Sequence, residues 1–121
     1  MGYAGPDRRR HKRIEKEFMA RFREKKSGSP WEIVVLKNLS ASGALFYCHK
    51  RIDVGSAVEL RINFPLYQKS VIATVARTVR VDSPTHQALF RVAVEFTDIG
   101  KEERESIDRA AHDYYPDGPE K

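Results

Sequence analysis

Residues 58–64 read Val-Glu-Leu-Arg-Ile-Asn-Phe, and apolar side chains alternate with polar ones through the whole stretch. This period of two is typical of a β-strand with one face in a core and the other in solvent. Pro65 follows directly and lacks the N–H that a central strand requires, so the strand is expected to end there. The stretch therefore predicts a fold built from sheet.

Segments on either side of this strand carry the β-branched and aromatic residues of further strands. They are residues 31–36, 44–48, 71–81 and 89–96. Residues 71–81 are apolar at both parities, which predicts a strand whose central part is buried on both faces. Residues 14–26 are ambiguous, because Ile14, Phe18 and Phe22 fit a helical stripe while the segment also alternates with a period close to two.

The hydrophobic period changes near the C-terminus. Apolar residues recur at helical spacing between Ile99 and Tyr114, Asp98 is suited to cap the first turn, and Pro116 and Gly118 predict the end of the helix. Six strands joined by short turns, followed by one helix, predict an all-β fold with one helix. The expected form is a six-stranded antiparallel β-barrel with the C-terminal α-helix over one opening.

The chain has 121 residues, of which 40 % are hydrophobic and 32 % charged, the composition of one globular domain. No apolar run approaches the ~20 residues of a membrane span, and the N-terminal cations are not followed by the apolar stretch of a signal peptide. We therefore expect a cytoplasmic protein. The only cysteine, Cys48, lies in mid-strand, where a buried structural thiol is expected.

Positive charge is concentrated at the N-terminus. Residues 8–13 read Arg-Arg-Arg-His-Lys-Arg, and residues 1–26 carry a formal net charge of +6 against −1 for residues 27–121. A basic segment on a nearly neutral body suggests an anionic partner that docks beside it. A leader that merely keeps the protein soluble is the alternative that charge alone leaves open.

The sequence shows no catalytic or metal-binding constellation. The four histidines are scattered, and Cys48-His49 has no second pair at ligand spacing. The nucleophile elbow, the phosphate-binding P-loop and the G-x-G-x-x-G fingerprint are all missing. We therefore expect no enzymatic activity, no metal and no cofactor, and a function in binding.

Two segments carry side chains suited to an anion that contains purine bases. Arg9 and Arg13 each present a planar guanidinium that can bind a phosphate, hold the outer edge of a guanine or stack on a base. Residues 38–43 read Asn-Leu-Ser-Ala-Ser-Gly and predict a turn, in which Asn38 and Ser40 offer hydrogen-bonding groups. Gly43 permits a positive φ or a close backbone approach to a ligand. A turn that only caps itself is the simpler alternative.

These two segments resemble the signature of the PilZ domain family, bacterial receptors for the second messenger cyclic di-GMP. The family pattern is R-x-x-x-R in an N-terminal arm, then D/N-x-S-x-x-G further along the chain, and residues 9–13 and 38–43 match it. The resemblance runs from about residue 7 to residue 114 and implies that residues 14–26 form a strand. It further implies a flexible basic arm at 1–13, a barrel with its helix at 14–115 and a disordered tail at 116–121.

The resemblance also implies how the ligand is held. Arg9 and Arg13 would hold guanine edges and phosphates of cyclic di-GMP from the arm. Asn38, Ser40 and Gly43 would line the opposite side, on the barrel surface. Ordering of the arm over the barrel would then relay the signal to an unidentified downstream protein.

Arg8, directly before the first motif arginine, resembles the residue of family members that take a stacked pair of ligands, which implies two cyclic di-GMP molecules per chain. Ala93 stands where the family often has glycine in the last strand, a small departure outside both motifs. The chain is expected to be a monomer or a homodimer without a membrane segment.

Two other functions stay open at this point. One is a small β-barrel that binds single-stranded nucleic acid through the basic arm, and the other is a PilZ-like protein adaptor that has lost the ligand. Phe18 and Phe22 lie among cations as on a nucleic-acid platform, but they share parity with Ile14 and Ala20 and are expected in the core. Nucleic acid is therefore not the expected partner, and the intact motifs argue against a ligand-free adaptor.

Overall fold

The fold comes from a computed structural model, which describes residues 14, 16–26, 28–65, 67, 69–82, 84 and 88–114. In chain order the elements are β1 (Phe18–Glu24), β2 (Glu32–Leu39), β3 (Gly43–Cys48), β4 (Ala57–Asn63), β5 (Val71–Asp82), β6 (Phe90–Asp98) and α1 (Lys101–Tyr114). The predicted arm at 1–13 and tail at 116–121 lie outside the described residues.

The six strands form one closed barrel in the order β1-β2-β3-β6-β5-β4, with every neighbouring pair antiparallel. Strand β1 closes it, because one of its edges pairs with β2 and the other with β4. The alternation in residues 58–64 is that of β4, whose Val58, Leu60 and Ile62 are buried inside the barrel. The predicted six-stranded antiparallel barrel with one C-terminal helix is confirmed.

Strand β5 is buried on one face only, so the prediction of two buried faces is wrong. The residues buried on its inner face are Ile72, Thr74, Ala76 and Thr78. On its outer face Val71 and Ala73 are exposed, because a barrel has a single interior and no described element covers β5 from outside. Apolar residues at both parities therefore reflect β-propensity on the outer face rather than burial.

The ambiguous N-terminal segment is a strand, although it is shorter than residues 14–26. Strand β1 begins at Phe18, and Phe18 and Phe22 are core residues as expected. Ile14 forms an isolated bridge with Leu39: the Ile14 N–H donates to the Leu39 carbonyl at 2.7 Å, and the Leu39 N–H donates to the Ile14 carbonyl at 3.1 Å. These two bonds hold Ile14 beside the end of β2.

Helix α1 begins later than predicted, because β6 continues further. Asp98 is the last residue of β6, it pairs with Val75, and its carbonyl accepts a hydrogen bond from the Thr74 hydroxyl at 2.8 Å. The prediction of Asp98 as the N-cap is therefore wrong. Gly100 takes that position, since its carbonyl accepts a helical hydrogen bond from the Arg104 N–H at 2.9 Å.

The helix packs on the end of the barrel where β6 ends and β4 connects to β5. Ile107 and Ala111 are fully buried in the same core that fills the barrel. In the β4–β5 connection, the Tyr67 hydroxyl donates to the Glu103 carboxylate at 3.2 Å, and burial together with this bond raises the pKa of Tyr67. Within the described ranges, no helix has the length and apolar character that crossing a bilayer requires.

Candidate functional site

The segment at 38–43 forms the tight connection between β2 and β3. The Ser40 N–H donates to the Gly43 carbonyl at 2.9 Å, and the Gly43 N–H donates back to the Ser40 carbonyl at 3.4 Å. Ala41 is fully buried, so the turn folds onto the barrel instead of projecting into solvent. The turn is narrower than predicted, because Asn38 still belongs to β2 and Gly43 already belongs to β3.

A β-bulge at Lys37 decides which way Asn38 points. The register of β2 against β3 shifts between Leu36 and Asn38. In a regular strand Asn38 would share the inward face with Leu36. The extra residue instead lets Leu36 and Leu39 both reach the core, where each is fully buried. Asn38 is thereby turned to the outer surface, where it lines a cleft.

The Ser40 hydroxyl stabilises the turn. It accepts a hydrogen bond from the Ser42 N–H at 3.2 Å and lies 3.0 Å from the Ser42 hydroxyl oxygen. Ser40 is only 8 % exposed, so the self-capped turn considered above is present. Ser40 also lines the cleft. Because a hydroxyl has one donor and two acceptor positions, capping and contact with a ligand are compatible.

Gly43 is required by a neighbouring strand. Among the described glycines, positive φ angles occur at Gly28 and Gly55, and Gly43 is not one of them. A Cβ built on Gly43 would collide with the carbonyl oxygen of Val94 on β6 and would lie 3.2 Å from the carbonyl carbon. A glycine is therefore needed here because β3 passes close to β6, and not because the backbone is left-handed.

A surface cleft of about 340 Å³ lies beside this turn, across β2, β3, β6 and β5. It brings together the three predicted barrel-side residues, Asn38, Ser40 and Gly43. Its other lining residues are Ser42, Ala44, Leu45, Arg80, Asp82, Arg91, Ala93, Val94 and Glu95. Ala93, the departure from the family pattern, is thus part of the cleft.

Two arginines on the β5 and β6 side of the cleft share one carboxylate. Arg80 Nε donates to one oxygen of Asp82 at 2.9 Å, and Arg91 donates to the other at 3.1 Å. The hydrogen bond from Arg80, with that from Arg91, lowers the pKa of Asp82 from its usual value. Asp82 is therefore ionised at neutral pH, and both guanidinium groups are bonded to it at the cleft.

Sequence reasoning missed Arg80, Asp82 and Arg91, because their place depends on strand order. They lie far along the chain from the turn and approach it only because β3 pairs with β6, where Leu45 lies opposite Ala93. The available signal was weak: Arg80 and Asp82 stand two residues apart, and in a strand such residues share a face.

The three predicted arm residues, Arg8, Arg9 and Arg13, lie outside the described residues, and their roles stay predictions. The nearest described residue in the sequence is Ile14. Its two backbone hydrogen bonds go to Leu39, whose neighbours in the chain both line the cleft. Ile14, which follows the basic segment in the sequence, is therefore bound to the barrel beside the cleft.

The described part of the chain offers neither a metal site nor an activated cysteine. No group of three or more His, Cys, Asp or Glu side chains there is arranged to hold a metal ion. Cys48 is buried as predicted, its thiol donates to the Lys50 carbonyl at 3.1 Å, and burial raises the pKa of the thiol to about 11. A thiol of this kind is not a nucleophile at neutral pH.

Comparison with known families identifies the chain. The model of the PilZ domain family matches residues 7–112. The chain belongs to the PilZ domain family. The match includes both segments on which the resemblance rests, and that resemblance is confirmed. No curated protein sequence is significantly similar to this PilZ domain.

Solved structures share the fold of this PilZ domain at low sequence identity. Bacillus subtilis inhibitor of motility (MotI/DgrA) has a TM-score of 0.79 and 14 % identity over 94 % of this chain and 54 % of its own. The PilZ domain of Escherichia coli YcgR with c-di-GMP has a TM-score of 0.59 and 16 % identity over 93 % and 100 %. The K. pneumonia MrkH–c-di-GMP complex has a TM-score of 0.65 and 11 % identity over 92 % and 53 %. The chain therefore spans about half the length of MotI and MrkH.

Proposed function

We propose that this PilZ domain is a receptor that binds cyclic di-GMP and catalyses no reaction. The family match supports this ligand, as do the YcgR and MrkH structures with c-di-GMP. The ligand has two phosphates and two guanines, which suit guanidinium groups together with amide and hydroxyl groups.

The observation that carries the proposal is the position of Leu39. Its backbone binds Ile14 through two hydrogen bonds, and its neighbours Asn38 and Ser40 line the cleft. Arg13 directly precedes Ile14 in the sequence, so a short reach brings both motifs to one ligand.

Each motif residue has a separate role in this proposal. Arg9 and Arg13 bind guanine edges and phosphates from the arm. Asn38 and Ser40 supply hydrogen bonds from the barrel. Gly43 acts indirectly, because it lets β3 approach β6 and so shapes the cleft.

The proposal includes two stacked ligands per chain. Arg8 supports the second ligand, as the resemblance implies. Arg80 and Arg91 add positive charge at the far side of the cleft, which attracts the phosphates. Part of that charge is offset by Asp82, to which both arginines are bonded.

Signalling follows from ordering of the arm. A ligand held between arm and barrel restricts the arm, at a cost in conformational entropy that ligand contacts offset. The surface changes in shape and charge, and a downstream protein recognises the change. Binding of nucleic acid is disfavoured, because Phe18 and Phe22, the aromatic residues suited to stack on bases, are buried.

Isothermal titration against cyclic di-GMP, GTP and a single-stranded oligonucleotide tests the proposal. Cyclic di-GMP is expected to bind with a Kd of about 1 μM or tighter, and Arg9→Ala or Arg13→Ala is expected to abolish binding with an unchanged circular dichroism spectrum. Arg51→Ala is the matched control, because Arg51 is an arginine between β3 and β4 with its side chain 78 % exposed. Salt-dependent oligonucleotide binding without heat from the cyclic dinucleotide would contradict the proposal.

A further inference from the structure

We propose that the outer face of strands β2, β1 and β4, around the barrel from the cleft, is a docking surface for an acidic segment of a protein partner. This face, called the Trp31 face, consists of Met19, Arg21, Arg23, Trp31, Ile33 and Arg61. The proposal goes beyond ligand binding and does not depend on it.

The strand register gathers these side chains on one surface. Along β1, Met19, Arg21 and Arg23 alternate with buried residues and so point outward. Arg21 lies opposite Ile33 on β2 and opposite Arg61 on β4. Both neighbours also have outward parity. The result is a continuous surface with cations at its centre.

Two of these cations have the same charge and face each other. Arg21 and Arg61 are directly opposite across the β1–β4 pair, an arrangement that destabilises a sheet. The neighbouring Arg23 pairs with Glu59 at 2.6 Å, but no ion pair among the described residues involves Arg21 or Arg61. An incoming carboxylate would relieve this repulsion, which is the charge complementarity that selects an acidic partner.

Trp31 holds two arginine side chains in place. The guanidinium carbons of Arg23 and Arg61 lie 4.4 and 4.7 Å from the centroid of its ring, within the range of a cation–π contact. Arginines that are already ordered lose less entropy when a partner binds. Tryptophan and arginine are also the residues most enriched in interface hot spots.

Apolar side chains flank the cations. Ile33 is 67 % exposed and Met19 is 47 % exposed, and methionine, like arginine, is enriched in protein interfaces. An acidic segment that also carries apolar residues matches both parts of the surface. A single-stranded nucleic acid would need a free aromatic face for its bases, whereas the Trp31 ring already contacts two guanidinium groups.

The fluorescence of Trp31 can report binding at this face, because Trp31 is the only tryptophan in the chain. The probe is a synthetic amphipathic peptide of glutamate and leucine, with leucine at helical spacing, and the charge control is the same peptide with lysine in place of glutamate. We expect the glutamate peptide to change Trp31 emission at sub-millimolar concentration and the lysine peptide to leave it unchanged.

Charge reversal tests whether the Trp31 face is the binding surface. Arg21→Glu is expected to weaken binding of the glutamate peptide by about tenfold or more, while Arg51→Glu, the same change between β3 and β4, retains it. Circular dichroism shows whether each variant is folded. The affinity for cyclic di-GMP is expected to be the same in Arg21→Glu as in the unchanged protein, because the Trp31 face and the cleft are separate surfaces. Unchanged peptide affinity in Arg21→Glu, or no emission change with the glutamate peptide, would overturn the proposal. A response of Trp31 only to a thymidine oligonucleotide would also overturn it and indicate nucleic acid.

Discussion

The main-chain carbonyl of Val94 occupies the space in which any Cβ at Gly43 would have to lie. The last residue of the signature turn is therefore a glycine because two neighbouring strands pass close together at that point. The cleft depends on the same approach, since β3 and β6 both line it. Gly43 was predicted from the sequence as a ligand contact, and its role in the structure is to allow β3 to pack against β6.

Gly43→Ala is expected to lower the free energy of unfolding by about 1–3 kcal/mol, because the backbone of β6 must move to accept the methyl group. Urea denaturation measures the change. An unchanged free energy of unfolding in Gly43→Ala would contradict the role given to the Val94 carbonyl.

Asp82→Asn is expected to tighten the binding of cyclic di-GMP by about threefold to tenfold, because Asp82 competes with ligand phosphates for Arg80 and Arg91. Isothermal titration at fixed ionic strength measures the change. Asp53→Asn, an exposed carboxylate outside the cleft, should leave the affinity as it is. Weaker binding in Asp82→Asn would mean that the carboxylate positions the two arginines rather than competing for them.

Cys48 is expected to make stability depend on pH in the alkaline range. Burial raises the pKa of its thiol to about 11, against about 8.5 in an unfolded chain. The folded state thus favours the neutral thiol, so this contribution is complete below about pH 8.5 and is lost as the pH rises through about 11. Between these values wild type should lose more stability in urea denaturation than Cys48→Ala. Parallel pH profiles for the two proteins would show that the thiol titrates normally.

Arg8→Ala is expected to reduce the fitted stoichiometry of cyclic di-GMP from two to one per chain, because Arg9 and Arg13 still bind the first ligand. Isothermal titration gives the number directly. Arg10→Ala removes the same charge from a variable position of the R-x-x-x-R motif and should keep two ligands. A stoichiometry of one in the unchanged protein would reject the stacked pair.

Five of the strands and the helix could be predicted because each depends on a local pattern, whereas β1 was expected only through the family resemblance. The alternation in residues 58–64 coincides with β4 to within one residue at each end, and the helical spacing between Ile99 and Tyr114 matches α1. Boundaries set by pairing could not be predicted in this way. Asp98 has the side chain of a good N-cap, but its pairing with Val75 keeps it in β6. The N-cap of α1 is therefore Gly100.

The candidate site was predictable only on the side that the signature names. Asn38 and Ser40 line the cleft, and their contact with a ligand stays a prediction. The bulge at Lys37 that turns Asn38 outward depends on pairing between strands and leaves no local mark in the sequence. Arg80 and Arg91 were missed for the same physical reason, because strand order alone brings them to the turn.

Closure of the barrel by β1 against β4 also restricts how any partner can recognise this domain. An extended peptide that binds by joining a sheet needs a strand with free N–H and C=O groups along one edge, whereas each of the six described strands has a paired neighbour on both sides. Along these paired lengths, recognition of the barrel depends on side chains at its outer surface. Those side chains can be exchanged without disturbing main-chain pairing, so one barrel can acquire new partners in evolution while its architecture stays the same.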